Sequence, residues 1–177
     1  NCLFVAIFFH DTGRAYNAYQ RLRAQRKMII GPDYWVTLRI FYSGLALAAR
    51  CRDKRYRREK RKAEAKLARL SLWASQGNIM CEHMKLLLEA EILRSNAGED
   101  SSKILSLYAK AGKAACKGSM VHHEALTYEL AAHYCHVIGE TELSHKNFLR
   151  ASNLYYAWGA NGKVSQIRND SRTIGMG

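Results

Sequence analysis

Apolar residues return at helical spacing along most of this chain. Within 142–158, Phe148, Ala151, Tyr155 and Trp158 fall at i, i+3, i+7 and i+10, one stripe of a 3.6-residue period. The same pattern predicts helices near 2–9, 13–28, 33–50, 56–76, 79–94, 100–117, 120–138 and 142–158, with a ninth over 161–169. A lone proline, Pro32, agrees with this, because long helices exclude proline while sheet-rich folds place proline and glycine turns every ~8–12 residues. From Ser171 to Gly177 the periodicity is lost, so a single helical domain over 1–170 and a disordered tail over 171–177 are expected.

The turns between these helices repeat. Gly77, Gly118 and Gly159 recur at intervals of 41 residues, each after an apolar stretch carrying Trp73-Ala74, Ala114-Ala115 or Tyr155-Tyr156. Gly31 joins the series at a spacing of 46. Glycine suits the residue just past a helix, where a left-handed backbone closes the last turn at little steric cost. Thirteen positions after Gly31, Gly77 and Gly118 stand Gly44, Ala90 and Ala131, small residues that let two helices of a hairpin approach closely. Thr141 is placed to cap the helix over 142–158, with Glu142 at its positive end; Asp100, Ser101 or Ser102 is placed to cap the one over 100–117. The fold class this implies is all-α: a right-handed, tetratricopeptide-like stack of antiparallel helix hairpins with about eight or nine helices. Such a solenoid needs about three repeats to stand alone. The first residue is Asn1 and the last segment is featureless, so the chain reads as a segment of a larger protein.

An ordered series of residues carries a resemblance. It runs through Leu70-Ser71-Leu72-Trp73-Ala74, Asn78, Cys81, His83 and Lys85-Leu86-Leu87-Leu88-Glu89-Ala90-Glu91, then Tyr108, Ala111 and Ala115. It continues with His122, Glu124-Ala125-Leu126, Glu129-Leu130-Ala131-Ala132, and ends on Trp158-Gly159-Ala160 and Lys163-Val164. Over roughly residues 35–168 the chain resembles the helical repeat region that follows the ATPase domain in large hybrid sensory proteins. Those proteins join a serine/threonine-kinase-like domain, an AAA-type predicted ATPase, this repeat region, and often GAF and histidine-kinase or cyclase domains. Gly112 and Ser119 depart from the family, which tends to a bulky apolar residue and a glycine there, and Asn153 stands where an aromatic is common. The resemblance implies a signal-relay role and carries no catalytic residues, because the family's active sites lie in other domains.

Charge adds one feature. Of a formal net +13, +7 falls within residues 50–62, where Arg50, Arg52, Lys54, Arg55, Arg57, Arg58, Lys60, Arg61 and Lys62 face only Asp53 and Glu59. Such a run attracts phosphates, anionic headgroups or acidic protein tails. As an insertion before the fourth helix it is expected to lie solvated on one rim. Weak polyanion binding is expected of it, with Arg55, Arg57, Arg58, Arg61 and Lys62 as the candidate contacts. Only Tyr56 interleaves the run, whereas a single-strand binder wants several stacking aromatics. Among the aromatics, Trp73, Tyr108, Tyr155 and Trp158 recur in register with the repeat and are expected in the core. Tyr128 and Tyr134 are expected at the surface of the seventh helix, as candidate partner contacts.

Candidate chemistry is sparse. No phosphate-binding glycine loop, nucleophile elbow or kinase catalytic triplet is present, so no cofactor and no catalytic residue are expected. His133 and His136 stand three apart on one predicted helix, but His122 is about three turns away, so no metal site is expected. The five cysteines, Cys2, Cys51, Cys81, Cys116 and Cys135, form no C-x-x-C pair and suggest reduced thiols in a cytosolic or nuclear compartment, of which the cytoplasm is the one expected. The apolar run Cys2–Phe9 is far shorter than the ~20 residues that cross a bilayer. The partners expected are neighbouring domains of the same chain or other proteins, and no membrane.

Overall fold

The computed structural model describes residues 2–24, 34–52, 56, 58–96 and 98–175, and all regular secondary structure among them is helical. The chain forms two compact units, Asn1–Glu99 and Asp100–Gly177. The first contains α1 (Cys2–Phe8), α2 (Thr12–Ala24), α3 (Tyr34–Cys51), α4 (Arg58–Ser75) and α5 (Ile79–Arg94). The second contains α6 (Ser101–Lys117), α7 (Val121–Val137), α8 (Thr141–Ala157) and α9 (Asn161–Gly175).

In the first unit the core gathers on α3, the most apolar of its four longer helices. Ile40, Phe41, Leu45, Ala46 and Leu47 are buried there, against Met84, Leu87 and Leu88 of α5. Gly44 fixes how close these helices come: a Cβ on it would lie 2.5 Å from Leu88 Cδ2. The small residue thus admits α5 rather than the hairpin partner α4. Phe4 and Phe8 of α1 close the other side against the Tyr42 ring, with centroids 5.3 and 6.3 Å away.

In the second unit α7 is central and is buried around most of its circumference, through Ala125, Leu126, Leu130, Ala132 and Cys135. It packs on α6 and α8. Phe148, Ala151 and Tyr155 of α8 supply the facing stripe, and Val164 and Ile167 extend the core to α9. Gly112 makes room for Tyr128, whose hydroxyl lies 2.8 Å from an ideal Cβ on that glycine.

One turn recurs between helices. After α4, Gly77 is left-handed (φ 89°), its N–H bonds the Ala74 carbonyl, and the Asn78 N–H bonds the Trp73 carbonyl. The same pair of bonds closes α6 at Ser119 and Met120, α7 at Gly139 and Glu140, and α8 at Gly159 and Ala160. His10 and Asp11 repeat it after α1. This is the Schellman arrangement, which satisfies carbonyls that the helix end leaves open. Gly118, expected as the left-handed residue, has φ −84° and is the C-cap of α6; Ser119 takes the left-handed position at φ 55°.

The caps divide similarly. Asp100 caps α6 as expected, its Oδ1 accepting from the Ser102 N–H at 2.8 Å. Those hydrogen bonds from Ser102 hold its carboxyl below the usual range. Thr141 does not cap α8. The tight turn brings Glu140 to the N-cap position, without a side-chain bond, and Thr141 is already helical. α9 runs to Gly175, through part of the segment expected as a tail, and no proline or glycine interrupts the chain between Gly162 and Gly175; residues 176–177 lie outside the described ones. Trp73, Tyr108 and Tyr155 are core residues. Trp158 is 42% exposed, because it is the C-cap residue of α8 and lies stacked on His122 instead of inside the stripe.

Candidate functional site

The basic run straddles the end of α3 and the start of α4, and much of it is held by internal partners. Arg50 lies between two aromatic rings, 4.2 Å from the Tyr16 centroid and 3.8 Å from that of Tyr56. A guanidinium between aromatic faces is attracted by both ring quadrupoles. Arg52 pairs at 3.2 Å with Glu91, a buried carboxylate of α5 that also takes Arg94 at 3.4 Å. Lys62 pairs at 2.9 Å with Glu59, which accepts from the Tyr16 hydroxyl at 3.0 Å. Burial, then the neighbouring Glu59, pushes the Tyr16 phenol up. Lys60 reaches Glu64 at 3.8 Å. Arg58 and Arg61 are exposed. Arg55 and Arg57 lie outside the described residues.

The expectation of a run simply solvated on a rim is therefore corrected for its described part. Arg50, Arg52 and Lys62 tie α2, α3, α4 and α5 together through Tyr16, Glu91 and Glu59. Sequence reasoning missed the two acids that organise them. A signal was there: Glu91 follows Met84 by seven positions and Leu88 by three, so it sits on the buried stripe of α5.

Tyr128 and Tyr134, expected at the surface of α7, are 8% and 5% exposed. The Tyr128 ring fills the space left by Gly112 and is covered by the Arg150 guanidinium, 4.0 Å above its centroid. Arg150 in turn pairs with Glu124 at 3.0 Å. Tyr134 packs 6.0 Å from Tyr108, and its hydroxyl donates to Ser101 Oγ at 3.2 Å. Small residues on α6 leave room for both rings. They join α6, α7 and α8.

A charged cluster at the opposite side of α7 was not anticipated. Lys163 Nζ of α9 donates to Glu129 Oε1 of α7 at 2.5 Å and to Gln166 Oε1 at 3.0 Å, while the Tyr155 hydroxyl of α8 donates to Glu129 Oε2 at 2.8 Å. Glu129, Tyr155 and Lys163 are all buried. Burial pulls the Lys163 ammonium down from its ordinary value, and Glu129 opposes that. An ion pair this deep compensates its desolvation only when its remaining donors and acceptors are met. It therefore fixes how three helices meet, and its burial keeps it from a dissolved substrate.

His133 stands edge-on to Phe148 with centroids 5.0 Å apart, and His136 is exposed in the last turn of α7. His122 stacks on Trp158, and burial lowers its basicity. Cys51, Cys81 and Cys135 are buried and Cys116 is exposed, none of them in a disulfide; burial pushes the Cys51 and Cys81 thiols up. Among the described residues no helix is long and apolar enough to cross a membrane. Comparison with family models, with curated proteins and with solved structures finds no match.

Proposed function

We propose that the chain is a non-catalytic helical-repeat scaffold that holds neighbouring domains or a protein partner. The observation that carries this reading is the recurrence of one turn: left-handed residues at 119, 139 and 159 link four successive helices of 15–17 residues by the same pair of backbone bonds. Repeated hairpins of one design stack, bury a continuous core and leave a long surface for contacts. A right-handed, tetratricopeptide-like stack is the finer form of this reading. Placement in a cytoplasmic ATPase or kinase signalling protein rests on the residue resemblance. Fold supports such a role only by analogy.

The outer face of α8 supplies a place to test it. Leu149 and Tyr156 stand seven residues apart and both are largely exposed, opposite the buried Phe148, Ala151 and Tyr155. A photoreactive residue at either position of the full-length protein is expected to crosslink to one defined protein surface, mapped by mass spectrometry. Leu149→Arg with Tyr156→Arg should weaken that crosslink about 10-fold and leave the melting temperature unchanged. Scattered crosslinks that the double variant does not alter would remove the support for the scaffold.

A further inference from the structure

The inward stripe of α4 contains a residue that does not belong to a core. Glu59, Ala63, Lys66, Leu70 and Trp73 follow one another at spacings of four, three, four and three, the register of one helix face. Four of the five are buried, and the middle one is a half-buried lysine. Glu59 has its cationic partner in Lys62. Lys66 has no carboxylate partner among the described residues.

Its surroundings are cationic instead. α3 and α4 form a hairpin, so residues equally far from the connecting segment lie level. Arg39 stands twelve positions before the end of α3, and Arg69 and Leu70 stand eleven and twelve positions after the start of α4. Arg39 is half-buried, and no ion pair joins it to a carboxylate among the described residues. α3 contains no acidic residue, and the two on α4, Glu59 and Glu64, face Lys62 and Lys60. Burial, then Arg39, then Arg69 lower the Lys66 basicity. Two half-buried cations, Arg39 and Lys66, with the exposed Arg69 beside them oppose folding. An anion between them would reverse the sign of that interaction.

Aromatic surface adjoins the cations. Trp35, one helical turn before Arg39, is 76% exposed, with the Tyr34 ring edge-on to it at 5.3 Å. Four residues of helix separate Trp35 from Arg39 by about 6 Å along the axis, a distance one nucleotide spans between base and phosphate. Arg69 lies over the Trp73 ring at 5.1 Å, so its guanidinium is held on the same face. An acidic peptide would use the cations and leave the indole idle. A nucleotide uses both, since every base presents a face for stacking and every linkage a phosphate.

We propose that Trp35, Arg39, Lys66 and Arg69 form a contact site for single-stranded nucleic acid, with phosphate on the three cations and a base stacked on Trp35. The site lies apart from the 50–62 run, and it goes beyond the scaffold reading: it stands if that reading falls.

The test is fluorescence anisotropy of the full chain with labelled oligo(dT) about a dozen nucleotides long, with melting temperature as second readout. Binding is expected to weaken about 10-fold in Trp35→Ala and in Lys66→Met, a loss in the range of one stacked base or one desolvated phosphate contact. Lys66→Met should also melt higher than the parent, because it removes an uncompensated charge from an apolar stripe. The pair Arg58→Gln and Arg61→Gln, on the neighbouring basic run, should weaken binding less than Lys66→Met alone. Three results would each overturn the site: polyglutamate of similar length binding as tightly as oligo(dT), Trp35→Ala binding like the parent, or Lys66→Met melting lower than the parent.

Discussion

Two tryptophans expected alike in the core have different places in the fold, and the difference is measurable. Trp73 is 6% exposed and closes the inward stripe of α4, while Trp158 ends α8 and stacks on His122 at 5.2 Å. Truncating a core aromatic removes its transfer free energy and leaves a cavity, so Trp73→Ala should cost ~3–5 kcal/mol. Trp158→Ala loses a half-exposed ring and one stacking partner and should cost only ~1–2 kcal/mol. Urea titration of the two variants checks the order; equal costs would mean that the Trp158 ring is buried in solution. At this scale the sequence is legible where a residue sits mid-stripe. It misleads at a helix end, where the stripe position is kept but the neighbouring helix has already turned away. Tyr128 and Tyr134 show the reverse. They fall off the apolar period, yet are buried, because Gly112 and Ser101 on the facing helix leave them space that only a pairing of helices reveals.

Most helix ends were legible to within two residues, while the ninth helix runs six residues past its expected end and the expected end of the second lies outside the described residues. Every expected segment has its counterpart, because the breaks are marked by the turn residues Gly77, Gly139 and Gly159 and no proline interrupts between them. What the residue pattern hides is which neighbour of a glycine carries the strain. Gly118 marks the turn after α6, but Ser119 occupies the left-handed backbone. For an L-residue that conformation costs roughly 1–2 kcal/mol, and glycine is exempt from it at some cost in unfolded-chain entropy. Ser119→Gly should therefore stabilise by ~0.5–1 kcal/mol. Gly159→Ala should destabilise by ~1 kcal/mol through the backbone alone, since nothing lies within 4 Å of a Cβ there. Thermal melts of both variants test the pair. A destabilising Ser119→Gly would show that the serine side chain has a role outweighing the strain of its backbone. The capping of α8 follows the same logic. Thr141 looks like a cap by composition, but the Schellman turn places Glu140 at that position.

Over the whole molecule the net charge of +13 suggests a polyanion binder, but a count of cations in the sequence overstates how many are free to bind. Within 50–62 the structure assigns Arg50 to two tyrosine rings, Arg52 to Glu91 and Lys62 to Glu59, leaving Arg58 and Arg61 exposed among the described members. The density of the run was plain in the sequence. Its division into structural and exposed charges was not, because Glu91 lies 39 residues away from Arg52 and only the packing of α5 brings them together. The division predicts how binding responds to salt. Each cation that neutralises a phosphate of a single strand adds about 0.7 to the steepness with which log affinity falls against log salt. Replacing both Arg58 and Arg61 by glutamine should thus reduce the slope for oligo(dT) by less than about 1.4, the value for two full phosphate contacts, and leave urea stability unchanged. Lys62→Gln should behave differently. It takes a charged partner from the half-enclosed Glu59, so it should lower stability by about 1 kcal/mol and change the slope little. If Lys62→Gln instead lowers the slope as much per residue as Arg58 and Arg61 do and leaves stability untouched, its pairing with Glu59 is not maintained in solution, and the run acts as one solvated patch.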